Sequence, residues 1–67
     1  MGEYDDAIKN VNKAIELNPK ISQAYYIKGI AKINLDDKEG GYSDLSLAVE
    51  LGYKKANEVI EKFYKQL

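Results

Sequence analysis
SQAYYIKGIAKINL, residues Ser22–Leu35, is the stretch around which the rest of the chain is organised. At helical spacing, Ala24, Tyr25, Tyr26, Ile27, Ile30, Ala31, Ile33 and Leu35 cover most of its circumference. Lys28 and Lys32, one turn apart, make its only polar strip. A helix apolar nearly all round needs neighbours on more than one side. The segments before and after it are apolar on one side only, which predicts a central helix with amphipathic helices packed about it.

Upstream, Tyr4, Ala7, Ile8, Val11, Ala14 and Ile15 form a helical stripe. Asp5 and Asp6 fall in its first turn, where the helix dipole favours negative charge. Asn18-Pro19 stops it, because proline disfavours the α conformation in the residue before it and donates no hydrogen bond. Ser22 is then expected to cap the central helix. Asp36-Asp37 make the next break and can cap a third helix carrying Tyr42, Leu45, Ala48, Val49 and Leu51. Gly40 and Gly41 in its first turn read either as a frayed start or as close approach of a neighbouring backbone at Gly41. Gly52 is the expected C-terminal cap of that helix. In the last segment Ala56, Val59, Ile60, Phe63, Tyr64 and Leu67 keep the 3.6-residue period. No stretch alternates with period two, so no strand is expected. The predicted fold is all-α, with antiparallel helix-turn-helix packing of four helices at about 3–17, 22–35, 38–51 and 54–66.

Composition narrows the chemistry. Sixty-seven residues make one small domain, burying roughly 60% of the surface its unfolded chain exposes. Cysteine and histidine are absent, which removes disulfides, thiolate sites and the commonest metal ligand. All ten basic residues are lysine, so no guanidinium fork is present to grip phosphate or carboxylate. A net charge of −1 with both signs interspersed gives no footprint for nucleic acid. No run is long enough for a membrane helix, and MGEYDDAIKN is unlike a secretory signal. With no cysteine, these features favour a cytoplasmic location. The loop from Asp36 fails the calcium pattern, because its third, fifth and twelfth positions are Lys38, Gly40 and Leu47. The Glu58/Glu61 pair lies on a solvated helix face. No cofactor, metal or catalytic group is expected, and the chain is read as a protein that acts without catalysis.

Slid against itself by 34 residues, the chain matches. Ala14, Glu16 and Leu17 fall on Ala48, Glu50 and Leu51, Val11 on Leu45, Ile15 on Val49, Ala7 on Gly41 and Gly2 on Asp36. With an aromatic at Tyr25, a small residue at Gly29 and a closing Pro19, the pattern resembles the tetratricopeptide repeat family. GEYDDAIKNVNKAIELNP resembles the second half of such a repeat, and SQAYYIKGIAKINL the first half of the next. The resemblance implies one domain over residues 1–67: a half repeat at 1–19, a full repeat at 20–52 and a terminating helix at 53–67. Lys28, Asp36, Lys38 and Gly52-Tyr53 depart from the family's usual residues.

The resemblance also implies a function, the binding of a protein or peptide along the face of the first helix of a repeat. The residues on that face are Gln23, Tyr26, Ile30, Ile33 and Asn34. Without arginine, and with isoleucine at two of these positions, capture of a C-terminal carboxylate is not implied, and an apolar or amphipathic helical segment suits the face better. Read this way the chain starts in mid-repeat, which leaves Tyr26, Ile30 and Ile33 short of a neighbour. They are expected to pack on a preceding helix, on a second copy of the chain, or on a partner. Tyr26 and Tyr42 stay open between core and binding surface, whereas Tyr25 is expected in the core.

Overall fold
Four helices account for nearly all of the computed structural model, which describes residues 2–64. They are α1 (Glu3–Leu17), α2 (Ser22–Asn34), α3 (Lys38–Glu50) and α4 (Lys55–Tyr64). The expected extension of the last helix to Gln66, with Lys65 and Leu67, lies outside the described residues.

Each break has a local cause. Asn18 leaves α1 in an extended conformation, as the proline after it requires, and its N–H still reaches Ala14 O. The Lys20 N–H then donates to Asn18 Oδ1 at 3.1 Å, and the Tyr25 hydroxyl donates to Pro19 O at 3.1 Å. Ser22 is not the cap of α2. It is the first helical residue, and Ile21 holds the cap position in an extended conformation with no side-chain bond. The turn built on Asn18 shifts the start of the helix by one residue.

At the other end of α2, the Asp37 N–H bonds to Lys32 O and the Asp36 N–H to Ile33 O, closing the helix with Asp36 left-handed at φ 67°. The same closure ends α3, with Gly52 at φ 103° and the Tyr53 N–H on Ala48 O. Asp37 caps α3 as expected, its Oδ1 accepting the Gly40 N–H at 2.9 Å. Gly2 and Asp36, which the 34-residue shift superposes, are both left-handed.

The helices pack as successive antiparallel neighbours: α1 on α2, α2 on α3, α3 on α4. Gly29 and Gly41 set the central contact. A Cβ on Gly29 would lie 2.7 Å from Leu45 Cγ and 3.0 Å from Gly41 O. One on Gly41 would lie 2.8 Å from Ile33 Cγ1 and 3.0 Å from Gly29 O. The two backbones therefore touch, which favours close approach over a frayed start. The molecule measures 36 × 30 × 15 Å. Helices with side chains are about 10 Å across, so both broad faces lie close to solvent and few side chains are wholly buried. Leu45, Ala48, Ala56 and Ile60 form the core, with Tyr25, Tyr26, Ile30, Ile33, Val49, Tyr53, Val59 and Tyr64 packed against it. Val11 in α1 and Ala24 and Ala31 in α2 are also buried. Phe63 was expected in the packed stripe of the last helix, yet it is 60% exposed. α3 covers only one side of α4, and Phe63 falls past its edge.

Candidate functional site
Two apolar stripes meet at the N-terminal end of the stack. Tyr4 and Ala7 come from the start of α1, and Tyr26, Ile27, Ile30 and Ala31 from the middle of α2. Together they line a groove of about 220 Å³. Its walls are almost entirely hydrocarbon and aromatic carbon, which suits an apolar side chain or a helix face.

The five residues of the expected binding face divide here. Tyr26 and Ile30 line the groove and are half-buried. The Tyr26 ring also packs on Tyr53, centroids 4.9 Å apart and planes at 52°, which fixes one wall. Ile33 is half-buried but turned to the start of α3, against Gly41. Gln23 and Asn34 are exposed near the two ends of α2 and do not line the groove. The Asn34 amide is occupied in part by its own helix, donating to Ile30 O at 2.9 Å.

Tyr4 and Ile27 were missed as groove residues, and they are its most exposed apolar members, at 42% and 39%. The signal was available. Tyr4 opens the stripe of the first helix, and Ile27 sits next to Tyr26 on a helix apolar nearly all round.

Two further features lie elsewhere. Lys32 Nζ stands 3.0 Å from Asp44 Oδ2 between α2 and α3, where Asp44 is only 8% exposed. That oxygen has no hydrogen bond of good geometry, so its stabilisation comes from the lysine charge. At the opposite end of the molecule, Lys38, Glu39, Tyr42, Ser43 and Tyr64 border an open hollow of about 610 Å³. Tyr42 and Tyr64 meet edge-on there, centroids 5.1 Å apart. The Tyr64 hydroxyl donates to Lys38 O at 2.7 Å. Partial burial raises the Tyr64 pKa above the ordinary 10.0, and the nearby Asp37 carboxylate adds to the rise. Although larger, this hollow is bordered by both charges and by backbone-bonded groups, so the apolar groove is the better candidate for binding. Among the described residues no group of three or more acidic side chains could hold a metal ion, and no helix is long and apolar enough to cross a membrane.

No known family profile matches the chain, and no solved structure matches it. Over 57 residues, 85% of its length, it is 42% identical to the Protein SGT1 homolog of Oryza sativa subsp. japonica. The matched region is 14% of that protein, so the chain corresponds to a small part of a much longer relative.

Proposed function
We propose that the chain is a helical-repeat segment of the tetratricopeptide type that holds another protein or peptide and does no chemistry of its own. In this reading residues 1–19 are the second half of a repeat, 20–52 a full repeat and 53–67 a terminating helix. Of the expected face Gln23, Tyr26, Ile30, Ile33 and Asn34, this reading centres binding on Tyr26 and Ile30, with the other three beyond the groove. The observation that carries the proposal is the apolar groove of Tyr4, Ala7, Tyr26, Ile27, Ile30 and Ala31. Small residues on its floor and aromatic rings at its sides suit the apolar edge of an amphipathic helix. The similarity to one short stretch of a longer protein agrees with a modular unit.

The experiment is selection of helical peptides from a random library on the wild-type chain, followed by nuclear magnetic resonance mapping of the selected peptides. Shifts should cluster at Tyr26, Ile27 and Ile30, and Ile30→Glu should abolish binding without loss of helicity. Peptides that bind Ile30→Glu as tightly as the wild type, or that perturb Tyr42 and Tyr64 instead, would refute the assignment. The exposure of Tyr4 and Ile27 supports a second reading, in which another copy of the chain covers the groove. Sedimentation then gives a dimer that Ile30→Glu dissociates, whereas the first reading leaves the oligomeric state unchanged by that substitution.

A further inference from the structure
We infer that the groove takes an amphipathic helix of another protein with lysine or arginine at one end, and that this basic end lies over the start of α1. The inference rests on the binding reading above and adds the charge of the partner. Antiparallel packing sorts the charges of the turns. The start of α1 and the turn from α2 to α3 fall at one end of the molecule, and the turns from α1 to α2 and from α3 to α4 fall at the other. The first end carries Glu3, Asp5, Asp6, Asp36, Asp37 and Glu39, all exposed, against Lys38. The second end carries Lys20, Lys54 and Lys55, and neither of its turns, 18–21 and 51–54, holds an acidic residue.

The groove opens at the acidic end. Tyr4 and Ala7, its wall on α1, are interleaved with Glu3, Asp5 and Asp6 along the first turns of that helix. Glu3 stands one turn before Ala7 and so on the same face. Among the described residues none of these three carboxylates is in an ion pair, and Lys32–Asp44 is the pair that is made. No lysine lines the groove. Lys28 and Lys32 form a strip on another side of α2, and Lys32 is already held by Asp44. The N-terminal dipole of α1 is equivalent to about half a positive charge. It offsets only a fraction of three carboxylates, so the field at this end of the groove is negative.

An apolar helix edge fits the lining whatever the charge at its ends. Its ends then decide which helices are accepted. A carboxylate over Glu3, Asp5 and Asp6 is repelled, whereas a lysine or arginine there is attracted and steered to the site. The low-dielectric walls of the groove focus that field on the occupant.

The test is the sequence of the helical peptides that the wild-type chain selects from a random library at low ionic strength. Peptides that map to Tyr26, Ile27 and Ile30 should carry lysine or arginine at one end well above its frequency in the library. Changing those basic residues to glutamine should weaken binding by about three- to tenfold at low salt, and by less as salt is raised. Glu3→Gln/Asp5→Asn/Asp6→Asn should erase that difference. Glu16→Gln/Glu50→Gln/Glu58→Gln, which removes the same number of charges from the opposite end, should keep it. Helicity is followed by circular dichroism, and if the first triple variant unfolds, Glu3→Gln and the salt dependence of the wild type decide. Groove-bound peptides with no basic excess, or with no loss on the change to glutamine, overturn the inference and leave the binding reading standing. A second copy that holds the groove in sedimentation and yields to no peptide overturns it too. Selected peptides that map away from the groove defeat the binding reading, and this inference with it.

Discussion

At the scale of the residue, glycine matters where backbones touch and is missed at Asp36, where the chain turns left-handed without it. Gly41 is the first case. Alanine is the better helix former by about 1 kcal/mol, so on an exposed helix Gly→Ala would stabilise. Here the added carbon meets Ile33 Cγ1 at 2.8 Å and the Gly29 carbonyl at 3.0 Å, and backbone atoms have little room to give. Gly41→Ala is therefore expected to destabilise by about 1–3 kcal/mol, read as a lower urea midpoint at unchanged slope. Asp36 is the opposite case. It holds φ 67° where the helix closure favours glycine, and its backbone carries that strain. Asp36→Gly is expected to stabilise by up to about 1 kcal/mol, a rise in melting temperature of about 4–8 °C per kcal/mol at this size. A fall in melting temperature would mean that the Asp36 side chain makes a compensating interaction.

At the scale of the element, the seams between helices carry the polar exceptions. Lys32 and Asp44 pair across α2 and α3, with Asp44 the more deeply buried. Removing the lysine strands a buried carboxylate, so Lys32→Met is expected to cost about 1–3 kcal/mol. Lys32→Met/Asp44→Leu should recover most of that loss, and a double-mutant cycle in urea measures the coupling. Additive losses would show that the pair contributes nothing. Tyr64 ties the last turn of α4 to the first turn of α3 by donating to Lys38 O. Because its folded pKa is raised, this contribution is complete below pH 10.0 and is lost as pH rises through the folded value. Stability should fall in alkali, and Tyr64→Phe, weaker at neutral pH for want of the bond, should lose less over the same range. Within the described residues the bounds of the first three helices were legible in the sequence to within about a residue because Pro19, Asp37 and Gly52 each act through local chemistry. The Lys32–Asp44 pair was not, since it depends on which turn of α3 lies against α2, and spacing within one helix does not encode that. The cap of α2 was misplaced for a related reason: a turn made by Asn18 overrode the preference of Ser22.

At the scale of the whole molecule, helices that pack mainly on their neighbours give the chain a middle and two ends. α3 is covered by α2 on one side and α4 on the other, and it carries Leu45, among the described residues the one large side chain sealed completely from solvent. α1 rests mainly on α2, and Val11 is its buried residue among those described. The same asymmetry explains how far the candidate site could be read. Tyr26 and Ile30 were legible because the central helix is apolar on too many sides. The division of labour between Ile33 and Ile27 was not, because it depends on how α3 and α1 are rotated about α2. In a stack of this kind stability is close to a sum of nearest-neighbour terms, and the ends open before the middle. Native-state hydrogen exchange should therefore grade along the chain. Amides of α3 and the facing half of α2 should exchange most slowly, through global unfolding. Those of α1 should exchange fastest among the helices, with α4 between them because the Tyr64 clasp and Ile60 hold it to α3. Val11→Ala should speed exchange in α1 while leaving α3 nearly unchanged, whereas Leu45→Ala, at about 2–5 kcal/mol, should speed exchange most in α3 and the facing half of α2, whose amides exchange through global unfolding. Equal protection of α1 and α3 in the wild type would show that something outside the four helices covers the groove, and dilution would then tell a second copy from a property of the single chain.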